Sequence, residues 1–169
     1  MQNKWIPALL IALGACARLV PHPWNFTPIM AIALYAGVRS TKFWTAALIT
    51  LGALLLSDSI LGFYSGMPYV YAASLVPVAL GSYIRERSSL GAIAGSAVFS
   101  SVSFFLITNT AVWATGSLYP HTWAGLGLCF TAALPFYRNE IAGDVVYTCV
   151  FFGTDALLRA VARTRPETA

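Results

Sequence analysis

Long apolar runs separated by short polar stretches dominate this chain of 169 residues. A helix that crosses a bilayer needs about 20 mostly apolar residues. The pattern therefore predicts six membrane-spanning helices, at about residues 5–20, 26–38, 43–63, 69–84, 90–114 and 141–161. Residues 122–137 are ambiguous, because their apolar part is short and we expect Pro135 to end it.

Composition agrees with a membrane protein. The chain is 58% hydrophobic and only 9% charged, whereas a soluble domain carries about 25% charged residues. So short a chain cannot bury this excess in a core of its own. We therefore expect one all-α polytopic domain over residues 1–169. The net charge of +4 does not indicate nucleic acid, since the basic residues form no patch interleaved with aromatic residues.

The basic residues predict an orientation. With six spans and both termini cytoplasmic, only Arg18 and Arg138 of the ten basic residues lie outside. This is the positive-inside pattern of a multi-pass protein, and we expect the bacterial cytoplasmic (inner) membrane. A seventh full span would move the C-terminal arginines outside. We therefore interpret residues 122–137 as re-entrant or as lying against the outer face.

One outer loop combines rigidity with polar groups. The stretch "PHPWNFTP" (residues 21–28) contains three prolines, which fix the backbone and remove hydrogen-bond donors. Irregular backbone at membrane depth is tolerated only against protein or water. We therefore predict that this loop covers a site in which His22 and Asn25 bind substrate. Trp24 is better explained as an anchor at the membrane interface.

Asp58 and Asp144 fall within apolar spans, where a carboxylate is costly and functional by default. Asp58 lies near the outer end of the third span, and either binds substrate or pairs with Arg18 or Arg138. Asp144 lies one turn beyond Glu140 in the last span. Because it is the deeper of the two, it is the better candidate to contact a ligand or to pair with Arg138.

Aromatic and amide side chains mark the end of the fifth span. Asn109 and Trp113 share a helix face, and Tyr119, His121 and Trp123 follow in a loop. Small-molecule pockets use aromatic faces with a few polar groups, so we predict that these five residues bind substrate. Interfacial anchoring is the alternative, and for His121 the two remain open.

Two further spacings predict structural contacts. Asp155 and Arg159 are spaced as an i,i+4 ion pair. Ala8 and Ala12 are small residues repeated every four positions on the first span, a spacing that allows a partner helix to approach closely.

The segments "PHPWNFTPIMAIALYAG", "LSDSILG", "NTAVWATGSLYPHTWAGL" and "LPFYRNEIAGD" resemble an uncharacterised bacterial integral-membrane family with a PHPxNFTP motif. That resemblance covers most of the chain and implies no activity. The architecture resembles the substrate-binding S component of energy-coupling-factor (ECF) vitamin transporters. It implies an S-component-like bundle whose loops close over a vitamin, with Ala8 and Ala12 meeting a coupling subunit and Tyr69 near the second lid loop.

Within that group the chain is similar to the small cobalamin transporters of the BtuM type. This resemblance makes cobalamin one candidate substrate. The best-known members place a cysteine on the cobalt, but no cysteine here lies in an outer loop. By the resemblance, His22 or His121 would serve instead.

Our main hypothesis is an uptake protein that binds a vitamin or nucleobase-like small molecule in an outward-facing pocket. An ATP-driven coupling module would consist of separate chains, since no ATP-binding motif is present. The alternatives are a membrane-embedded enzyme acting on a lipid or isoprenoid head group, and a ligand-free scaffold subunit. We predict no catalytic residues, no metal and no cofactor.

Overall fold

The computed structural model describes residues 5–164, and its elements in that range are all helical. Seven α-helices follow in order: α1 (Trp5–Leu19), α2 (Ile29–Arg39), α3 (Phe43–Leu61), α4 (Met67–Ala73), α5 (Leu75–Ile84), α6 (Leu90–Thr115) and α7 (Trp123–Thr164). A short 3₁₀ turn at Arg85–Arg87 follows α5. The predicted all-α class is confirmed for this part of the chain.

Four helical segments in the described range are long and apolar enough to cross a membrane: Phe43–Leu61, Met67–Arg87, Leu90–Thr115 and Trp123–Arg163. The second of these joins α4, α5 and the 3₁₀ turn into one span. Helices α1 and α2 are apolar but shorter. With 11 residues, α2 is about 16 Å long, roughly half the thickness of the hydrocarbon core.

Helix α7 differs from the sequence prediction. It runs unbroken through Pro135 for 42 residues, so the prediction of a separate re-entrant or interfacial segment at residues 122–137 is wrong. A proline is tolerated in a membrane helix where local adjustments and neighbouring groups satisfy the freed carbonyl. A helix of this length extends about 63 Å, about twice the thickness of the hydrocarbon core.

Helix α2 forms the centre of the bundle. Ile32, Ala33 and Ala36 are completely buried, and α2 contacts α3, α5, α6 and α7. The backbones of α2 and α5 approach closely: a Cβ added to Gly37 would lie 3.0 Å from the Cα of Gly81.

Helices α2 and α3 are joined by only three residues, yet α3 has 19 residues. Helix α3 therefore extends about 12 Å beyond the first residue of α2.

Ion pairs define one end of the bundle, which we call the Arg39 end. Asp155 lies 2.6 Å from Arg39 and 3.0 Å from Arg159, which confirms the predicted i,i+4 pair. Arg85 donates from Nη1 to the carbonyl of Thr41 at 2.7 Å. Arg18 lies at the opposite end, the Arg18 end. Lys4 and Arg165, which also entered the orientation prediction, lie outside the described residues.

Candidate functional site

A cavity of about 650 Å³ lies at the Arg18 end, beyond the first turn of α2. Its wall includes exposed residues of the loop at positions 20–28, so the cavity opens at this end. Its volume is within the range of about 300–1,000 Å³ that is usual for small-molecule sites. Its charged and polar lining residues include Arg18, His22, Asn25, Thr27, Glu140 and Asp144.

The loop at residues 20–28, which lines the cavity, contacts α7 through two pairs of aromatic rings. Phe26 packs on Tyr147 with ring centroids 5.5 Å apart, and Trp24 meets Phe136 edge-on at 6.2 Å. Asn25, between these two anchors, has a left-handed backbone with φ of 62°. Asparagine adopts this conformation more readily than most residues. The loop therefore has a defined shape that points the Asn25 side chain toward α7.

Two carboxylates on α7 face the cavity. Glu140 and Asp144 are one turn apart and only 5% and 3% exposed. Asp144 accepts a hydrogen bond at Oδ2 from Ser101 of α6, at 2.6 Å. The side chain of Asn25 lies beside Glu140. One carboxyl oxygen of Glu140, Oε1, is buried and has no hydrogen-bond partner among residues 5–164. A buried polar atom of this kind is costly unless it is paired.

Arg18 and Asp58 form a buried ion pair beside the cavity. Arg18 Nη2 lies 2.7 Å from Asp58 Oδ1, and Nη1 donates to the carbonyl of Leu54 and to Ser57 Oγ. Tyr71 donates its hydroxyl hydrogen to Asp58 Oδ2 at 2.9 Å. Of the alternatives for Asp58, the structure thus shows the pair with Arg18. Arg18 lines the cavity, whereas Asp58 is not one of the lining residues.

Tyr64, in the connection between α3 and α4, also lines the cavity. Partial burial raises the pKa of Tyr64, and the nearby carboxylate of Asp58 raises it further. The phenol therefore keeps its proton at neutral pH and can donate a hydrogen bond.

Three of the predicted substrate-binding residues, His22, Asn25 and Asp144, line the cavity together. The ring of His22 is 2.8 Å from the carbonyl of Pro23 through Nδ1. Tyr69, at the start of α4, is 38% exposed and is not one of the lining residues. The other predicted residues lie on α3, on α6, in the connection between α6 and α7, and at the start of α7.

The predicted aromatic cluster forms a second group, at the turn between α6 and α7. Trp113 donates from Nε1 to the carbonyl of Pro120 at 2.9 Å, and its ring meets that of His121 at 5.8 Å. Asn109 donates to its own helix, at the carbonyl of Phe105. The cluster also includes Tyr119 and Trp123, and none of its five members lines the cavity. The expectation that one pocket unites these residues with His22 is not met.

Glu140 and Arg18 line the cavity but were not predicted to bind a ligand. A signal for Glu140 was present, since it precedes Asp144 by one helical turn and so shares its face. Arg18 was considered only as a partner of Asp58. On α1, Ala8 and Ala12 lie on the exposed surface, so they are accessible to another helix. A partner at that surface stays a prediction.

The helices and the cavity define a class: an all-helical protein with several potential membrane spans and a small-molecule-sized cavity at one end. The model of the DUF6580 family, a family of unknown function, matches residues 1–166, and the chain belongs to that family. No curated protein and no solved structure matches the chain.

Proposed function

We propose that this protein captures a small molecule at the outer face of a bacterial cytoplasmic membrane and moves it inward. The observation that carries the proposal is the cavity of about 650 Å³ at the Arg18 end, with two buried carboxylates in its wall. In this proposal the opposite end, rich in arginine, faces the cytoplasm, as the positive-inside rule requires. The cavity then opens outward.

The short central helix supports a transport site. Binding sites of many transporters lie near the bilayer midplane, beside discontinuous helices whose ends face the substrate. Helix α2 has this character, because it covers only about half the hydrocarbon core and its first residues, Ile29 and Met30, line the cavity. The floor of the proposed site is thus a helix end inside the bundle.

The loop at residues 20–28 supports controlled entry. It carries His22 and Asn25 into the cavity wall and rests on α7 through aromatic contacts. Its prolines restrict internal bending, so we expect it to open as a unit by breaking the contacts of Trp24 and Phe26. The loop then acts as a lid over the captured molecule.

The substrate we propose is a vitamin or nucleobase-like molecule. Cobalamin stays one candidate, and of the two histidines only His22 lines the cavity where a cobalt ligand is needed. Inward movement requires either a rearrangement of this chain alone or an ATP-driven module in separate chains. In the second case the exposed surface of Ala8 and Ala12 is the proposed contact.

The test is retention of a ligand by the purified protein. Native mass spectrometry and a thermal-shift screen with vitamins and nucleobases should identify one compound, and proteoliposomes should accumulate it. His22→Ala and Asn25→Ala should weaken its binding. His121→Ala and Asn109→Ala replace the same residue types outside the cavity, so they should leave binding unchanged.

Two results would count against the proposal. One is a protein that retains only lipid and gives a flat screen. The other is an equal loss of binding in the cavity variants and in the two control variants. Turnover of a lipid head group that requires Asp144 would indicate the membrane-enzyme alternative instead.

A further inference from the structure

We propose that the cavity selects molecules that carry a positively charged ammonium or amidinium group, and that Glu140 and Asp144 bind this group. The inference rests on the proposed function, because it names the substrate class of the same cavity.

The charge balance of the cavity wall favours a cation. Arg18 is the only arginine or lysine among the described lining residues, and Asp58 neutralises it at 2.7 Å. Glu140 and Asp144 have no basic partner among the described residues, since the polar side chains beside them are the neutral Asn25 and Ser101. A ligand cation would supply the counter-charge that these two groups lack when they are ionised.

The free hydrogen-bonding capacity also points to a donor. Glu140 borders the cavity and is 5% exposed, but its Oε1 atom has no hydrogen-bond partner in residues 5–164. An ammonium group has three donors and no acceptor. Its bonds to carboxylates are charge-assisted and therefore stronger than those between neutral groups. An ammonium beside Glu140 would satisfy Oε1 directly.

An organic cation fits better than a metal ion. The residues that the structure describes bring together no group of three or more His, Cys, Asp or Glu side chains that could hold a metal. Hard divalent ions require about six or more oxygen ligands. The remaining wall includes Leu54, Met30 and Phe104, which suits an apolar or aromatic body attached to the charged group.

The experiment uses sets of three compounds that differ only in the charged group. Phenethylamine, phenethyl alcohol and phenylacetate form one set, and tryptamine, tryptophol and indole-3-acetate form the other. Binding to the full-length protein in detergent is measured by calorimetry at pH 7, with ZnCl₂ and MgCl₂ alone as metal probes. The amine of at least one set should bind about tenfold or more tightly than its alcohol and its acid.

Variants then assign the charge preference to the cavity. Glu140→Gln and Asp144→Asn should each weaken amine binding by about tenfold or more. Glu86→Gln, at the Arg39 end, is the matched control and should not change it. Unchanged amine binding in both cavity variants would overturn the inference, as would tighter binding of an alcohol, an acid or a metal ion.

The two proposals fail in different ways. A neutral or anionic compound that occupies the cavity and depends on His22 and Asn25 would leave the uptake proposal standing and refute the preference for cations. If no compound of either set binds, the charge of the ligand that copurifies decides the inference. If nothing binds and nothing copurifies, both proposals fail.

Discussion

Replacing Asp58 with asparagine is expected to lower the free energy of unfolding by about 3 kcal/mol. The carboxylate is 1% exposed and receives Arg18 Nη2 at 2.7 Å and the Tyr71 hydroxyl at 2.9 Å. In the variant the guanidinium keeps its bonds to Leu54 and Ser57 but loses its counter-charge. The variant therefore leaves a buried charge uncompensated.

The magnitude follows from the burial of both partners. Removing one partner of a buried ion pair typically costs about 3–5 kcal/mol. Arg18 is 15% exposed and lies at the end of the bundle, where a long side chain can move its charge toward water. We therefore expect a cost at the lower end of this range, about 3 kcal/mol. Ser57→Ala removes one hydrogen bond to Arg18, which in a membrane protein is worth about 0.6 kcal/mol on average.

The assay is reversible unfolding in mixed micelles by titration with SDS, followed by circular dichroism. A double variant, Arg18→Leu with Asp58→Leu, replaces the pair by apolar groups and should recover most of the lost stability. If Asp58→Asn costs no more than Ser57→Ala, the ion pair is not desolvated as we infer. If the double variant is as unstable as the single one, the loss comes from packing rather than from charge.

Three further predictions test other parts of the structure. Gly37→Ala should destabilise the bundle by about 1–3 kcal/mol, because its Cβ would lie 2.5 Å from a carbonyl oxygen of α5. Gly95→Ala is the control: its Cβ would meet nothing within 4 Å, so it should not lower the thermal midpoint. Asn25→Ala should lower the midpoint more than Asn25→Gly, since φ is 62° and a non-glycine residue there costs on the order of 1 kcal/mol; equal midpoints would contradict this. In a variant without the native cysteines, Tyr119→Cys should react with an impermeant thiol reagent added to intact cells and Glu86→Cys should not; the reverse result would invert the topology.

Hydropathy predicted the long helices well, because local sequence determines their ends. The predicted span at residues 43–63 corresponds to α3, which ends at Leu61, where Gly62 adopts φ of 101° and stops the helix. The prediction failed at Pro135. Whether a proline ends a membrane helix depends on neighbours that satisfy the freed carbonyl, and these neighbours are known only once the helices are packed.

The site was predicted in part for a related reason. The arginine distribution predicts the side of the membrane on which each polar segment lies. It grouped His22, Asn25 and Asp144, and these three residues line one cavity. The arginine distribution does not indicate how deep each segment lies in the membrane, so the cluster around Trp113 was predicted to belong to the same pocket. Helix α6 has 26 residues and α2 only 11. This difference in length separates the tip of α6 from the cavity, although we expect both on the same side.

The proline-rich loop explains why a cavity exists at the Arg18 end of an apolar bundle, beyond the first residues of the central helix. A central helix as long as α3 would continue about 12 Å past Ile29 and would fill the space that the cavity occupies. Pro21, Pro23 and Pro28 prevent this, because a proline inside a helix removes a hydrogen bond and clashes with the preceding turn. Residues 20–28 therefore form a loop that lies against α7 and do not extend α2. The flanking helices border the space that remains open beyond α2, and Glu140 and Asp144 are the side chains that α7 contributes to it.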